Sequence, residues 1–273
     1  MADFDGKVIL VTGGATGLGA AIAVGAARRG ARAVILNCSK SLKDAEATAD
    51  VVRAAGADVE IAQGDVAEDA DCRKVAGATA RFGRLDVLVN NAGVTKHVQN
   101  HTDLDGLSKE DFLRLLSVNV VGPFQMVRAC RGLLEAAERA SVLMTSSTAG
   151  INGMGSSVAY AASKAALNTM TLSLARALAP KIRVNAVCPG FIDTRWFPDA
   201  FGEERTQRIR DRVIEATPLQ VASKPEDIAD AALFLISDAA RHITGEILRV
   251  DAGLHLGSSP QAAVRANGEM ARS

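Results

Sequence analysis

Lys7-Val-Ile-Leu-Val-Thr-Gly-Gly-Ala-Thr-Gly-Leu-Gly19 is the stretch that most strongly indicates the fold of this 273-residue chain. Its first six residues form a short apolar, β-branched run, typical of a strand buried on both faces of a parallel sheet. Glycines follow, directly before an alanine-rich helix predicted over residues 20–29. Such a turn lets a pyrophosphate approach the backbone N–H groups that begin a helix. The spacing differs from the standard dinucleotide fingerprint, so a glycine turn without a ligand is the alternative.

The alternation of strand and helix continues along the chain. Further strands are predicted at residues 33–37, 58–63, 85–90, 141–145, 182–188 and within 244–253. Helices are predicted at residues 40–55, 69–82, 108–118, 120–139 and 157–178, and again from Pro225. This order predicts an α/β protein with a doubly wound parallel sheet. Glycine and short polar residues follow the first six strands, so their shared carboxyl edge is predicted to bind ligands.

Tyr160, the only tyrosine of the chain, precedes Lys164 by four residues in the predicted helix 157–178. Residues at i and i+4 share one helix face, so the ammonium is expected to lie near the phenol and to lower its pKa from about 10. That would make Tyr160 an acid and base near neutral pH. A turn containing glycine can return Ser147, at the end of the predicted fifth strand, to Tyr160. By itself, a Tyr-x-x-x-Lys pair also fits an ordinary amphipathic helix.

Charge and composition exclude several classes of partner. Lys plus Arg and Asp plus Glu both number 31, so neither nucleic acid nor an anionic membrane is an expected partner. The amino terminus has no apolar signal segment, and no run reaches the roughly twenty apolar residues that span a bilayer, so we expect a soluble cytoplasmic protein. No metal site is predicted. The cysteines have no metal-ligand or redox spacing and are expected to be buried thiols: Cys38, Cys72, Cys130 and Cys188.

Together the motifs resemble the short-chain dehydrogenase/reductase family, in its compact single-domain branch, and its members similar to 3-oxoacyl-thioester reductases. They run in family order as Thr12-Gly-x-x-x-Gly-x-Gly19, Asp65-Val66, Asn90-Asn-Ala-Gly93, Asn119, Ser147, Tyr160-x-x-x-Lys164 and Pro189-Gly190. The resemblance implies a Rossmann fold with a seven-stranded parallel sheet flanked by helices on both faces. It implies one domain over residues 1–257, followed by a tail at 258–273, and a homotetramer or homodimer. We expect the tail to be held by a neighbouring subunit or across an active-site entrance.

The resemblance also implies a nicotinamide cofactor and a role for each matching residue. Tyr160 would be the acid and base, and Ser147 would hydrogen-bond the substrate oxygen. Lys164 would hold the cofactor ribose and lower the phenol pKa, while Asn119 would help to hold a water that relays protons from Lys164. The expected cofactor-binding residues are Gly13, Thr16, Gly17, Leu18, Gly19, Asn37, Ser39, Lys40, Ser41, Asp65, Val66, Asn91, Ala92, Gly93, Tyr160, Lys164, Pro189, Gly190, Ile192 and Thr194.

The end of the second predicted strand indicates which nicotinamide cofactor is preferred. A carboxylate there would bind the adenosine ribose hydroxyls and favour NAD. The chain has Asn37-Cys-Ser-Lys-Ser41 instead, and Ser39, Lys40 and Ser41 can donate to a 2′-phosphate. NADP is therefore predicted, with NAD as the alternative. Thr16 argues against NADP, because NADP-preferring relatives often carry a basic residue in that turn.

Residues 191–217 are expected to lie over the active site. Phe191, Trp196, Phe197 and Phe201 cluster there, which favours an apolar ketone or alcohol, including a cyclic one, although core packing explains them equally well. Residues 94–107, with Lys96, His97 and Gln99, are expected to form another wall. The predicted function is ketone and secondary-alcohol interconversion by hydride transfer. The alternatives are a 3-oxoacyl-thioester reductase and a regulatory protein that binds cofactor without turnover.

Overall fold

Five of the seven strands have largely buried side chains, and the two strands at the edges of the sheet are partly exposed. In the computed structural model, which describes residues 3–98 and 100–257, the strands are β1 (Val8–Val11), β2 (Ala33–Cys38), β3 (Asp58–Gln63), β4 (Val87–Asn90), β5 (Ala140–Thr145), β6 (Ile182–Pro189) and β7 (Ile247–Val250). Every residue of β1, β2 and β4 is buried. Strands covered on both faces need this continuous apolar pattern rather than an alternating one.

These strands form one parallel sheet in the order β3-β2-β1-β4-β5-β6-β7. The order reverses between β1 and β4, where Leu10 is paired with Leu88. Connections leave this point toward opposite faces of the sheet, which opens a crevice at the carboxyl ends of the strands. The predicted seven-stranded Rossmann sheet is confirmed, and β7 lies at its edge as expected.

Helices cover both faces of the sheet. They are α1 (Gly17–Arg28), α2 (Leu42–Ala54), α3 (Asp69–Thr79), α4 (Lys109–Leu116), α5 (Gly122–Ala136), α6 (Ala149–Asn152), α7 (Val158–Leu178), α8 (Trp196–Phe201), α9 (Glu203–Ala216) and α10 (Pro225–Ile236). One apolar core includes Met126 of α5 and Leu167 of α7, and the other includes Ile22 of α1 and Leu233 of α10. Across the two described ranges, no helix combines the length and apolarity needed to cross a membrane.

The structure differs from the predicted secondary-structure elements near the crevice at the carboxyl ends of the strands. The helices predicted at 108–118 and 120–139 are joined by a π-helical turn, Ser117–Val121, rather than by a simple break. The glycine turn expected after Ser147 contains the short helix α6. Neither feature has a distinct sequence pattern, because both depend on packing against α7. The predicted contacts of the tail 258–273, and the contribution of Gln99 to a wall, lie outside the described residues.

Candidate active site

Hydrogen bonds from the ends of β1 and β4 hold the glycine-rich turn in place. Asn91 Nδ2 donates to the carbonyl oxygens of Thr12 and Gly13, at 3.1 and 3.0 Å. Thr12 Oγ1 accepts from the backbone nitrogens of Asn91 and Ala92, at 2.9 and 3.0 Å. Gly13 has a φ of +60°, a left-handed conformation that glycine adopts without the cost of a Cβ. The two strand ends at the reversal of the sheet are thus locked together.

Gly19 marks the closest approach between the turn and α1. A Cβ there would lie 2.2 Å from the carbonyl oxygen of Gly13 and 2.5 Å from Asn91 Nδ2. The turn therefore folds against the start of α1, where backbone N–H groups lack intrahelical partners. Those donors and the positive end of the helix dipole suit a pyrophosphate, so the turn fits the dinucleotide that the sequence implies.

Ser147, Tyr160 and Lys164 line a single open cleft of about 950 Å³ at the carboxyl edge of the sheet. Lys164 Nζ lies 5.8 Å from the centroid of the Tyr160 ring, one helical turn away. The Ser147 hydroxyl acts on the phenol by lowering the pKa of Tyr160. Ser147, which follows β5, and Tyr160, in the first turn of α7, thus line the same cleft, while their direct contact stays a prediction.

Two local features place Tyr160 and Lys164 at the cleft. Ser157 caps α7 by accepting a hydrogen bond from the backbone nitrogen of Tyr160 at 3.2 Å, which sets the phenol in the first turn. Gly150 of α6 packs directly on the backbone of α7, since a Cβ there would lie 2.5 Å from the carbonyl carbon of Lys164. The short helix α6 is thus the support against which this part of α7 rests.

Burial shifts both titratable groups of the pair. Lys164 is 4% exposed and its Nζ donates to the Thr145 carbonyl oxygen at 2.8 Å. Burial lowers the pKa of Lys164 to about 8. Burial also raises the pKa of Tyr160 to about 12, although the Ser147 hydroxyl acts in the opposite direction. The lowered phenol pKa expected from the Tyr-x-x-x-Lys spacing is therefore wrong for the polypeptide by itself, because desolvation of the phenolate dominates.

Replacing Lys164 by methionine is expected to change how stability depends on pH. The pKa of Lys164 is about 8 when folded and 10.5 for a free side chain, so between these values the unfolded chain binds more protons at this position. The contribution of Lys164 to the free energy of unfolding is therefore lowest below pH 8 and rises with pH. We expect the difference between parent and Lys164→Met to change by about 2 kcal/mol from pH 8 to pH 10.

Urea denaturation of both proteins at several pH values, without added cofactor, measures this difference. The buried thiols also titrate in this range, but they are common to both proteins and largely cancel. Parallel stability curves for parent and variant would mean that the ammonium is not desolvated as the structure indicates.

The side chain of Asn119 joins the segment after β4 to α7. Its Oδ1 accepts from the backbone nitrogen of Val94 at 2.9 Å. Its Nδ2 donates to the Val94 carbonyl oxygen and to Ser163 Oγ, both at 3.0 Å. Asn119 is fully buried, and all of these bonds are made within the protein. The structure thus gives Asn119 a positioning role, while the water relay remains a prediction.

Most of the predicted catalytic and cofactor-binding residues line the cleft. These are Gly13, Thr16, Gly17, Leu18, Asn91, Ala92, Gly93, Ser147, Tyr160, Lys164, Pro189, Gly190, Ile192 and Thr194. Within the described residues, the lining does not extend to Gly19, Asn37, Ser39, Lys40, Ser41, Asp65, Val66 or Asn119. Asn37 donates to the carbonyl oxygens of Ala62 and Gly64, both at 3.0 Å, so its amide ties β2 to β3. Ser39, Lys40 and Ser41 are exposed beside that junction.

The aromatic residues of segment 191–217 form a wall of the cleft, which excludes the alternative that they are buried core residues. Phe191, Trp196, Phe197 and Phe201 all line it. The rings of Phe191 and Phe197 lie 4.6 Å apart between centroids, and Trp196 is 48% exposed. These rings offer an apolar surface next to Ser147 and Tyr160.

Two ion pairs that the sequence analysis missed hold this segment. Asp193 binds Arg210 of α9 through two hydrogen bonds of 2.8 and 2.9 Å. Arg195 also lines the cleft, and its Nη2 donates to Asp44 of α2 at 3.0 Å. The second pair joins residues 151 positions apart, so no local pattern could have indicated it. It connects the wall to the helix that follows Ser41.

The fold and the cleft together define a class of protein. A parallel sheet that reverses its order beside a glycine turn is a dinucleotide-binding arrangement. Here that turn shares a cleft with a phenol, a hydroxyl and an ammonium group. Such a combination is characteristic of a nucleotide-dependent oxidoreductase, since it can position a carbonyl oxygen beside proton donors.

The chain belongs to the short-chain dehydrogenase/reductase family. Residues 13–255 match the family model described as enoyl-(acyl carrier protein) reductase. A Streptomyces violaceoruber protein described as a ketoacyl reductase of the granaticin polyketide synthase is 39% identical over 92% of this chain and 97% of its own length. The 3-oxoacyl-(acyl-carrier-protein) reductase FabG of Thermotoga maritima is 34% identical over 92% of this chain and 98% of its own.

A solved structure agrees with this assignment. A Burkholderia xenovorans protein described as a short-chain dehydrogenase/reductase is 40% identical and has a TM-score of 0.84, with 92% of this chain and 99% of that chain covered. The protein is accordingly an enzyme acting on CH–OH or C=O groups with a nicotinamide cofactor, NAD or NADP.

Proposed function

We propose that the protein is an NADP-preferring carbonyl reductase and secondary-alcohol dehydrogenase in which Tyr160 is the acid and base. The observation that carries this proposal is the convergence of Ser147, Tyr160 and Lys164 on the cleft that contains the glycine turn. When bound along that turn, the cofactor supplies or accepts a hydride. The aromatic wall supports an apolar ketone or alcohol as the substrate.

Side chains of the protein stabilise the charge that develops on the substrate oxygen and supply its proton. Negative charge develops on the oxygen as a carbonyl is reduced, and the hydroxyls of Ser147 and Tyr160 are positioned to donate hydrogen bonds to it. Tyr160, whose pKa of about 12 leaves it protonated at pH 7, gives its proton to that oxygen. Lys164, fixed by its bond to Thr145, stabilises the resulting phenolate. Alcohol oxidation reverses each step.

The residues around the glycine turn would hold the cofactor. Gly13, Thr16, Gly17 and Leu18 line the pyrophosphate end of the cleft. Asn91, Ala92, Gly93, Pro189, Gly190, Ile192 and Thr194 line its continuation toward Tyr160. Ser39, Lys40 and Ser41 follow β2 and are exposed, which supports their proposed contact with a 2′-phosphate.

We expect the KM for NADPH to be at least about tenfold below that for NADH, because three donors and no carboxylate follow β2. Lys40→Ala should raise the KM for NADPH by about three- to tenfold and leave that for NADH within twofold, as befits one charge-assisted hydrogen bond. Lys43→Ala, a neighbouring exposed lysine in α2, is the matched control and should change neither. A tenfold preference for NADH would refute the NADP assignment while leaving the oxidoreductase intact.

A 3-oxoacyl-thioester reductase is the second candidate. It is favoured by the family model and by the relatives described as ketoacyl and 3-oxoacyl reductases. Turnover of an acetoacetyl thioester, compared with that of cyclic and aromatic ketones, separates the two. A regulatory protein without turnover is less well supported, because Ser147, Tyr160 and Lys164 are all present and line the same cleft.

The proposal also includes a cytoplasmic homotetramer, with a homodimer as the alternative. Its support is the apolar surface of the α4–α5 region, where Leu113, Val121 and Phe124 are exposed in the single chain. Contiguous exposed apolar residues commonly mark an interface between protein chains.

A further inference from the structure

The segment after β4 holds His97 rigidly beside the catalytic helix. Thr95 Oγ1 hydrogen-bonds Ser156 Oγ, and the Val98 backbone nitrogen donates to the Ser156 carbonyl oxygen at 2.9 Å. Thr95 and Val98, which flank residues 96–97, are thus both hydrogen-bonded to Ser156, four positions before Tyr160. His97 therefore has little backbone freedom relative to the reacting phenol.

The imidazole of His97 contacts the opposite wall of the cleft. Its ring lies 4.8 Å from that of Phe201 between centroids, at an interplanar angle of 69°. Both rings line the cleft that contains Ser147 and Tyr160. His97 thus stands where the two substrate walls meet. A molecule entering between them would contact the imidazole.

The imidazole of His97 lines the cleft with both of its ring nitrogens available for hydrogen bonds. Across residues 3–98 and 100–257, neither ring nitrogen has a protein hydrogen-bond partner. Burial lowers the pKa of His97, so at pH 7 the ring is neutral, with one N–H donor and one nitrogen acceptor. A neutral donor and acceptor beside the aromatic rings of the cleft suits an uncharged oxygen, and filling the cleft without such a partner would desolvate the imidazole at a cost.

We propose that His97 is a specificity-determining residue that hydrogen-bonds a second oxygen, a hydroxyl or carbonyl, on a cyclic aromatic ketone whose reacting carbonyl lies at Ser147 and Tyr160. This substrate class rests on the proposed function and narrows it. Phe191, Phe197 and Phe201 supply the apolar surface for fused rings. His97 supplies the polar group that distinguishes an oxygenated ring system from a plain hydrocarbon one.

The test compares 1-tetralone with its 5-, 6- and 7-hydroxy derivatives. We expect the parent protein to favour at least one hydroxytetralone by about tenfold in kcat/KM, mainly through KM. His97→Phe keeps an aromatic ring against Phe201 and should abolish this preference, while kcat/KM for 1-tetralone should be at least that of the parent, because its binding no longer desolvates an imidazole. His97→Asn, which retains a donor and an acceptor, should restore part of it. His101→Phe, a second histidine of the cleft, is the matched control and should keep the preference.

A binding measurement keeps the proposal testable without turnover. Trp196 is the only tryptophan of the chain and lines the cleft, so its fluorescence reports ligand binding directly. The dissociation constants should show the same tenfold hydroxyl preference in the parent and its loss in His97→Phe. Equal affinities of the parent for 1-tetralone and all three derivatives, or a preference that survives His97→Phe, would overturn this inference. Absence of ketone reduction with intact hydroxyl-selective binding would instead overturn the proposed function alone.

Discussion

Replacing Tyr160 by phenylalanine is expected to lower kcat by about 10³-fold, within the range typical for loss of a general acid and base. The change removes only the phenol oxygen, and it removes the group that faces Ser147 and the cleft. No other tyrosine exists in the chain to substitute for it. The remaining hydroxyl of Ser147 can still polarise a substrate oxygen, so a small residual rate is expected.

The control for this variant is its ability to fold and to bind cofactor. Tyr160→Phe keeps the aromatic ring that packs at the start of α7, so its melting temperature should stay close to that of the parent. Its affinity for NADPH should fall by no more than about threefold, which corresponds to one ordinary hydrogen bond. A kcat above one tenth of the parental value, with folding and binding intact, would remove Tyr160 from the proposed role.

Gly19→Ala is expected to destabilise the protein by about 3 kcal/mol and to abolish measurable cofactor binding. The added Cβ would lie 2.2 Å from the carbonyl oxygen of Gly13, and that oxygen is fixed by Asn91. Relief requires either α1 or the glycine turn to move. Both movements spoil the alignment of the helix N–H groups with a pyrophosphate.

Gly132→Ala is the matched control, because it makes the same change in a helix where the added Cβ would meet no atom within 4 Å apart from its own turns of helix backbone. There alanine should stabilise α5 by about 0.5–1 kcal/mol, since glycine is the poorer helix former. Chemical denaturation and a cofactor titration by Trp196 fluorescence compare the two variants. Equal stability and equal cofactor affinity of the two variants would show that neither folding nor cofactor binding requires the close packing at Gly19.

The structural features that are encoded within a few consecutive residues were predicted correctly. The seven strands and the glycine turn follow from apolar runs and glycines that are contiguous in the chain. Tyr160 and Lys164 share a cleft because their spacing matches one turn of α7. Periodicity and turn chemistry are local properties, so these predictions do not depend on how distant segments of the chain pack.

The phenol pKa was the main error in the predicted site. The sequence shows that an ammonium lies one turn from Tyr160, which by itself lowers the pKa. It does not show how far each group is removed from water, and in the folded protein burial raises the pKa of Tyr160 to about 12. Desolvation depends on every chain segment that covers the site.

The sequence by itself determined the sheet, the glycine turn and the placing of Tyr160 and Lys164 one helical turn apart, because each is encoded in residues that are neighbours in the chain. Only the tertiary structure decided the tie between Asn37 and β3, the link from Arg195 to Asp44 and the place of His97 against Phe201. These contacts join residues that lie far apart in sequence. The strand order of the sheet brings these residues together, and a sequence pattern that spans a few residues cannot specify such a contact.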